Sequence, residues 1–554
     1  MVRTILVLLL GAFAACGQDP SSSTPYVVAS PALPSGADAE GAPAPVDNAT
    51  RTTPDIGTSD SRPPLPPASP GEDRAATAAA TDHARPEEAP GVSAVSDAVL
   101  APQRRGDARR GRQLLLDNGT PETPIMSCGV PEALVKLGRL DRDWGVALKI
   151  PDRRDAALPY DLNYVTRPSG VRVVASNCLT CHASKLGGRL VIGLGDVARD
   201  FTQANGLSGA LGASLRLVAR AALDAEEERE LARVLRVVDV VARFPRPDTI
   251  GVNPADGLFG ALTMHRDPTS LVWHERADPA AGPVPGRIIY SDVPAWWNTR
   301  RRERLFHTGF AGGDRARIMM TSALLCLEDS SEAERIDAYF PDVRAYIESL
   351  PVPRYQDFSA LPIVPERAER GGALYRVHCQ RCHGGRDGEA DAPRALVALE
   401  ELGTDPVYTQ VTQADNSLPE ARTIDYFFGF FNRSWYGTFG ATGRLERPTR
   451  LGYAAPPLDG VWATAPYFHN GAVPTLEGVL DPARRPTRFR RAFDADAYDF
   501  ERLGWPYVEV ASKGDADSDV YDTTRLGNSN AGHTFSADLP PEARRDLLEY
   551  LKTF

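Results

Sequence analysis

No apolar run of 18 or more residues occurs in the chain, so nothing in it reads as a bilayer-spanning helix. There is no basic excess: 62 Lys and Arg stand against 73 Asp and Glu, a net charge of −11. That excludes a general nucleic-acid binder, whose affinity comes from neutralising phosphates. Lysine is scarce. Lys136, Lys149, Lys185, Lys513 and Lys552 are the only ones among those basic residues, a bias that reads as codon usage. The five methionines are Met1, Met126, Met264, Met319 and Met320. The seven cysteines are few, but four of them repeat one pattern. What remains is ordinary for a globular protein: 554 residues, 42% hydrophobic and 24% charged. That allows a sizeable core and about three or four domains.

The amino terminus reads as an export signal. Arg3 precedes the apolar run Ile5 to Phe13, which has signal-peptide length. Ala14, Ala15 and Cys16 follow. A cysteine after two alanines resembles a bacterial lipobox, in which Cys16 would be lipidated and become the first mature residue. Phe13 stands where such sites usually carry Leu, and ordinary cleavage at an A-x-A-like site is the alternative. Residues 17–103 read as a disordered tether. Fourteen of the 47 prolines fall within 17–100, and Tyr26 is the only aromatic there. Such a stretch buries too little apolar area to offset the entropy of ordering. Flexible, it would span roughly 50 Å root-mean-square and hold a domain off a membrane. The expected location is periplasmic or cell-surface, anchored through Cys16, with secretion as the alternative.

The strongest signal is Cys178-Leu-Thr-Cys181-His182, repeated as Cys379-Gln-Arg-Cys382-His383. C-x-x-C-H is the c-type haem attachment motif. Two thiols add to the two vinyl groups of one haem, and the next residue places an imidazole on the iron. Zinc is the competing reading of CxxC pairs, but a His directly after both pairs fits haem better. A thioredoxin-like site would not need two copies. Two covalently bound haem c groups are therefore expected.

The flanking sequence agrees. Pro365 to His378 reads as a helix with Pro at its start and Ala368, Gly372 and Tyr375 at helical spacing. The last residues carry Ala543, Leu547, Tyr550, Leu551 and Phe554 on one face. This predicts a terminal amphipathic helix docked on the helix before the second motif. Arg109 to Leu116 looks like the opening helix of a first module. The small residues Ala183, Ser184, Gly384 and Gly385 would let the backbone run close to the porphyrin.

Each iron has one further axial position. Met there raises the reduction potential and His lowers it. No methionine follows His383, and only His469 and His533 lie beyond it. His533 is the expected second ligand of haem 2, and His469 a near-haem hydrogen-bonding group. Met264, His265, His274, His307 and Met319-Met320 lie downstream of His182 at no spacing that compels ligation.

The order of these segments resembles the bacterial dihaem cytochrome c peroxidase superfamily, and within it the rubber-oxygenase-like branch. The residues that carry the likeness are Ser176 to His182, Val293-Pro294-Ala295-Trp296-Trp297-Asn298, Pro456 to Gly471 with its Pro-Tyr-Phe-His-Asn-Gly end, and Gly527 to His533. The likeness covers roughly residues 105–554. It implies one haem that is five-coordinate or binds oxygen, one low-spin haem that passes electrons, and a tryptophan between them, here Trp296 or Trp297. Phe306 and Phe310 would line the distal face of haem 1, with core packing as the other reading. The rubber oxygenases are longer between the second motif and the carboxy terminus.

Smaller features carry weaker expectations. Cys128 and Cys326 could pair in an oxidising compartment. Asp224 to Val241 reads as a helix whose Leu231, Val234, Leu235, Val238 and Val241 stripe is core. Asp515, Asp517, Asp519 and Asp522 alternate like a calcium loop, but Val520 and Leu526 stand where an EF-hand needs Gly and Glu. A solvated acidic loop is the stronger reading there.

The expected fold is mainly α-helical. A signal peptide (1–16) and tether (17–103) precede two cytochrome c-like haem modules with long loops, over 104–350 and 351–554. The expected function is an exported dihaem oxidoreductase. Haem 1, held by His182 with Trp296, Trp297, Phe306 and Phe310 around it, would activate peroxide or dioxygen. Haem 2 would transfer electrons. A non-catalytic electron carrier is the alternative. The partners would be an envelope electron donor or acceptor and peroxide, dioxygen or an apolar substrate. No nucleic acid is expected, and membrane contact only through Cys16.

Overall fold

Two helix crossings built on the same three side chains organise the chain. In the second crossing, Pro365–His378 lies across Pro541–Leu551. Both helices start on proline, whose fixed φ suits the first helical position. A Cβ added to Gly371 would sit 1.9 Å from the Asp546 carbonyl oxygen, so only glycine allows this approach. Arg370 Nε closes the crossing on Asp546 Oδ2 at 2.6 Å, and Tyr550 packs on the glycines. The first crossing repeats this between Ala108–Leu116 and Ser330–Ser349. A Cβ on Gly111 would sit 1.9 Å from the Asp342 carbonyl. Arg110 Nη1 pairs with Asp342 Oδ2 at 3.2 Å, and Tyr346 takes the place of Tyr550.

This computed structural model describes residues 27–28, 92–93, 103–116, 128–137, 150, 158–202, 217–386, 396–412, 418–442, 445, 447 and 450–554. The expected signal peptide and Cys16 lie outside the described residues. So does the expected tether, apart from residue 103 and two short strands, Val27–Val28 and Val92–Ser93, which pair with Arg189–Ile192 and Leu396–Ala398.

The fold is mixed rather than mainly α: helix takes 43% and strand 12%. Among the described residues short strands form four three-stranded sheets, two of which include strands that flank the first motif. Leu162–Thr166 pairs antiparallel with Arg172–Ser176, delivering the chain to Cys178. Ala183–Leu186 and Arg189–Ile192 then form a hairpin. Ala183 and Ser184 are therefore strand residues, paired with Ile192 and Val191.

The largest core draws on both sides of residue 350: Leu115, Trp297 and Phe340 share it with Phe430, Trp462 and Leu547. A second core surrounds the helix Ala225–Arg243, which Asp224 caps through the amides of Glu226 and Glu227. Its buried stripe is Leu231, Val234, Val237, Val238 and Val240; Leu235 and Val241 are only partly buried, one helical step away from the expected face. Cys128 and Cys326 are disulfide-bonded, with Cα atoms 5.0 Å apart. Among the described residues no helix is long and apolar enough to cross a membrane.

Candidate haem sites

Each CxxCH motif sits on a single helical turn, Leu179–His182 and Gln380–His383. The first turn is started by Asn177. Its Oδ1 accepts from the Leu179 amide, and its Nδ2 donates to Asn163 Oδ1 and the Tyr160 carbonyl. The second turn continues from the helix ending at His378. Tyr375 secures it by donating to the Gly384 carbonyl at 2.7 Å.

One large cavity is lined by Cys379, Cys382, His383 and His533 together. The His383 Nδ1 lies 2.8 Å from the Pro456 carbonyl. A carbonyl only accepts, so Nδ1 carries the proton and Nε2 keeps its lone pair. The His533 ring faces it, centroids 6.2 Å apart. Two metal–nitrogen bonds of about 2 Å each, plus two ring radii, span about 6 Å. His533 Nδ1 is buried with no partner from another residue. Burial lowers the His383 pKa and takes that of His533 to about 3, His383 and Arg485 adding to the latter. Neutral imidazoles are the form that ligates a metal. The thiols are protonated too, burial pushing Cys379 up to about 12. Two thiols, two opposed neutral imidazoles and an apolar surround fit a covalently attached haem.

His469 lines the same cavity but is engaged elsewhere. Its ring stacks on Tyr453 at 4.2 Å, and Nε2 lies 3.1 Å from the Tyr453 hydroxyl. His307 also lines the cavity, its Nε2 bonded to the Asp292 carbonyl at 3.0 Å.

The first motif is different. His182 is half-buried with its Nδ1 shielded from solvent, and desolvation takes its pKa down to about 4. The Pro294 carbonyl approaches its ring, as Pro456 does for His383, but Nδ1 stays short of a hydrogen bond. Burial pushes the thiols up, with the Cys181 charge adding for Cys178, to about 12, and Asp196 and Asp161 adding against Arg199 for Cys181, to about 11. The flat face of His182 packs on Trp296, with centroids 4.6 Å and planes 22° apart, too close for a metal to lie between the two rings. No second imidazole lies opposite it among the described residues. His265 stacks on Trp273 and bonds the His274 carbonyl, while Met320 lies in the large core and Met319 packs against it. Met126 lies outside the described residues.

The segment after Pro294 ties the two motifs together. Trp297 Nε1 donates to the Asp459 carbonyl at 2.8 Å, and Asn298 Nδ2 reaches the Pro457 and Asp459 carbonyls at 3.2 Å each. Those carbonyls adjoin Pro456, which holds His383. Trp296 and Trp297 thus divide the work, one against His182 and the other clamped to the loop behind His383. Phe306 and Phe310 stack on each other at 4.2 Å, and Phe310 on Phe428 at 4.9 Å. This aromatic stack runs into the core; neither ring is paired with His182.

The acidic loop is not arranged for calcium. Asp517 and Asp519 both pair with Arg490, and Asp522 with Arg488. The cations already supply the positive charge.

Residues 452–490 match the family described as RoxA-like, cytochrome c-like. That segment spans Pro456 to Gly471 and so includes the carbonyl on His383, the clamp on Trp297, and His469. The match agrees with the likeness to the rubber-oxygenase-like branch that the motifs carry. Two uncharacterized proteins of Sinorhizobium fredii (strain NBRC 101917 / NGR234) are similar. One, y4iJ, is 31% identical over 238 residues, 34% of this chain and 38% of that protein. The other, y4iM, is 27% identical over 305 residues, 49% of this chain and 66% of that protein. The chain therefore spans between two fifths and two thirds of these relatives. A crystal structure of a MauG-like protein associated with microbial copper homeostasis is 17% identical, over 56% of this chain and 93% of that one, with a TM-score of 0.24.

Proposed function

We propose that this RoxA-like chain is an exported dihaem c-type cytochrome oxidoreductase, with Cys178, Cys181 and His182 holding haem 1 and Cys379, Cys382, His383 and His533 holding haem 2. The observation that carries the reading is an asymmetry. His383 has a second imidazole 6.2 Å away across the cavity, while among the described residues the ring packed on His182 is Trp296, stacked against its flat side, and no second imidazole accompanies it. Bound haem supplies one-electron chemistry, and where an axial position is free it can also activate dioxygen or peroxide.

The chain's own residues do the rest. The Pro456 carbonyl fixes the tautomer and orientation of His383, the usual work of a residue behind a metal ligand. Asn298 and Trp297 hold Trp296 against His182. His469 and Tyr453 keep a fixed dipole on the cavity wall. The Cys128–Cys326 disulfide supports an oxidising compartment, as export would require. Anchoring through Cys16, an envelope electron partner, and peroxide, dioxygen or an apolar compound as substrate complete the proposal.

Low-temperature EPR of the fully oxidised protein tests it. The expected spectrum has one high-spin ferric signal and one low-spin signal of the bis-His type. Two low-spin signals would turn the reading to an electron carrier, or to an enzyme that opens only on reduction.

A further inference from the structure

Arg302 is an unneutralised cation on the wall of the cavity that His383 and His533 line. A guanidinium has five N–H donors, and here Nη2 donates to the Phe306 carbonyl at 2.6 Å. No carboxylate pairs with it among the described residues. Several other buried arginines are compensated, although Arg491 meets the Val197 carbonyl and no carboxylate within ion-pair distance. Arg167 meets Glu332 and Glu230, and Arg199 meets Asp161 and Asp196. Arg266 donates to two carbonyls, and Arg485 to five. Asp292 shares the cavity wall, but its charge is felt by Arg491 and not by Arg302. Burial raises the Asp292 pKa well above the ordinary carboxylate value.

A cation facing an enclosed apolar space is costly unless an anion joins it. Burial lowers the Arg302 pKa to about 10, which leaves it charged at neutral pH. Its position follows from the clamp already described. The turn Trp296–Arg301 is held by Asp459 and Pro457, and Arg302 is the next residue.

We infer that Arg302 is a carboxylate-binding residue whose partner is a propionate of the haem attached at Cys379 and Cys382. This rests on the reading of that cavity as a haem site. It makes Arg302 a positioning residue that also sets the haem's reduction equilibrium. A fixed cation beside the porphyrin favours the reduced form, because reduction removes one positive charge from the iron centre.

The test is spectroelectrochemical titration of the full-length holoprotein, wild type against Arg302→Gln and Arg302→Lys, with haem counted by pyridine haemochrome. Arg302→Gln should shift the bis-His haem about tenfold toward the oxidised form, 59 mV for one electron. Its potential should also become pH-dependent, because a propionate without its counter-cation takes up a proton on reduction. Arg302→Lys keeps the charge and should stay within about threefold of wild type. Two haems, a retained low-spin signal and an unmoved, pH-independent potential in Arg302→Gln would overturn the inference and leave the dihaem reading standing. Fewer than two haems in the wild type would overturn both. If Arg302→Gln fails to load haem, Arg302→Lys decides: loading with a near-wild-type potential supports the inference, and failure to load overturns it.

Discussion

His383 and His533 present their imidazoles to one another at 6.2 Å between ring centroids and 59° between planes. They come from opposite ends of the second half of the chain, one on a motif turn and one on a loop. The loop is held by backbone: the His533 amide donates to the Leu402 carbonyl at 2.7 Å, and Arg485 donates to the Gly532 and Asn530 carbonyls at 2.7 Å each. His533 itself has φ 49°, a left-handed conformation that a residue with a Cβ adopts only under constraint. The spacing is therefore fixed before any group enters the cavity.

Replacing His533 with Ala should remove the low-spin signal of one haem and leave a high-spin one. Added imidazole should restore the low-spin signal, since the cavity left has the shape of the lost ring. His469→Ala should leave that signal in place, because His469 is bonded to Tyr453. If the low-spin signal were to vanish in His469→Ala and persist in His533→Ala, the two roles would have to be exchanged.

Gly371→Ala sets two effects against each other. In an isolated helix the change gains about 1 kcal/mol. Here the new Cβ would meet the Asp546 carbonyl at 1.9 Å, and helices forced apart lose packing worth about 1–3 kcal/mol. The clash should win, as it should for Gly111→Ala against Asp342. Denaturant midpoints read the result. A Gly371→Ala protein more stable than wild type would mean that the crossing tolerates separation.

The second crossing was legible in the sequence because its opening helix runs straight into Cys379 and its closing helix ends the chain. The first was only half legible. Its opening helix is far from Cys178 in sequence, and its closing helix carries Pro341, a residue that argues against a helix interior. A signal was nevertheless present: Asp342 and Tyr346 repeat the spacing of Asp546 and Tyr550. The strands beside Cys178 were hidden for another reason. Runs as short as Arg172–Ser176 are ambiguous between strand and buried helix until a partner such as Leu162–Thr166 is seen. Arg302 could not be singled out among Arg300, Arg301 and Arg304, because only the fold decides which of them meets a carboxylate.

Arg167 joins the strand region to the first closing helix. It is 1% exposed and pairs with Glu332 at 2.7 Å and Glu230 at 3.3 Å, and Arg233 holds the same two carboxylates. Arg167→Ala leaves buried negative charge with one cation instead of two. The expected loss is about 3–5 kcal/mol, seen as a lower denaturant midpoint with an unchanged haem spectrum. A loss below about 1 kcal/mol would mean that Arg233 alone compensates both glutamates.

Asp248 supplies a pH dependence whose sign follows from its partners. Burial would raise its pKa, but Lys513, Arg525 and the Tyr290 hydroxyl outweigh burial and bring it below the ordinary carboxylate value. Tyr290 donates to Oδ1 at 2.9 Å, Arg525 pairs with Oδ2, and Lys513 Nζ donates to the Asp248 backbone carbonyl at 2.6 Å. These bonds tie the turn after Pro245 to the loop 513–525. A carboxylate with a lowered folded pKa binds fewer protons than its unfolded form over the interval between the two values. Its stabilisation is complete above the unfolded value of about 3.9 and is lost as pH falls through the folded one. Asp248→Asn should therefore be less stable than wild type at pH 7 and closer to it at pH 3. Urea midpoints of both proteins from pH 7 to pH 3 give the comparison. A gap that stays constant across that range would show that Asp248 acts through shape and hydrogen bonding, with no contribution from its charge.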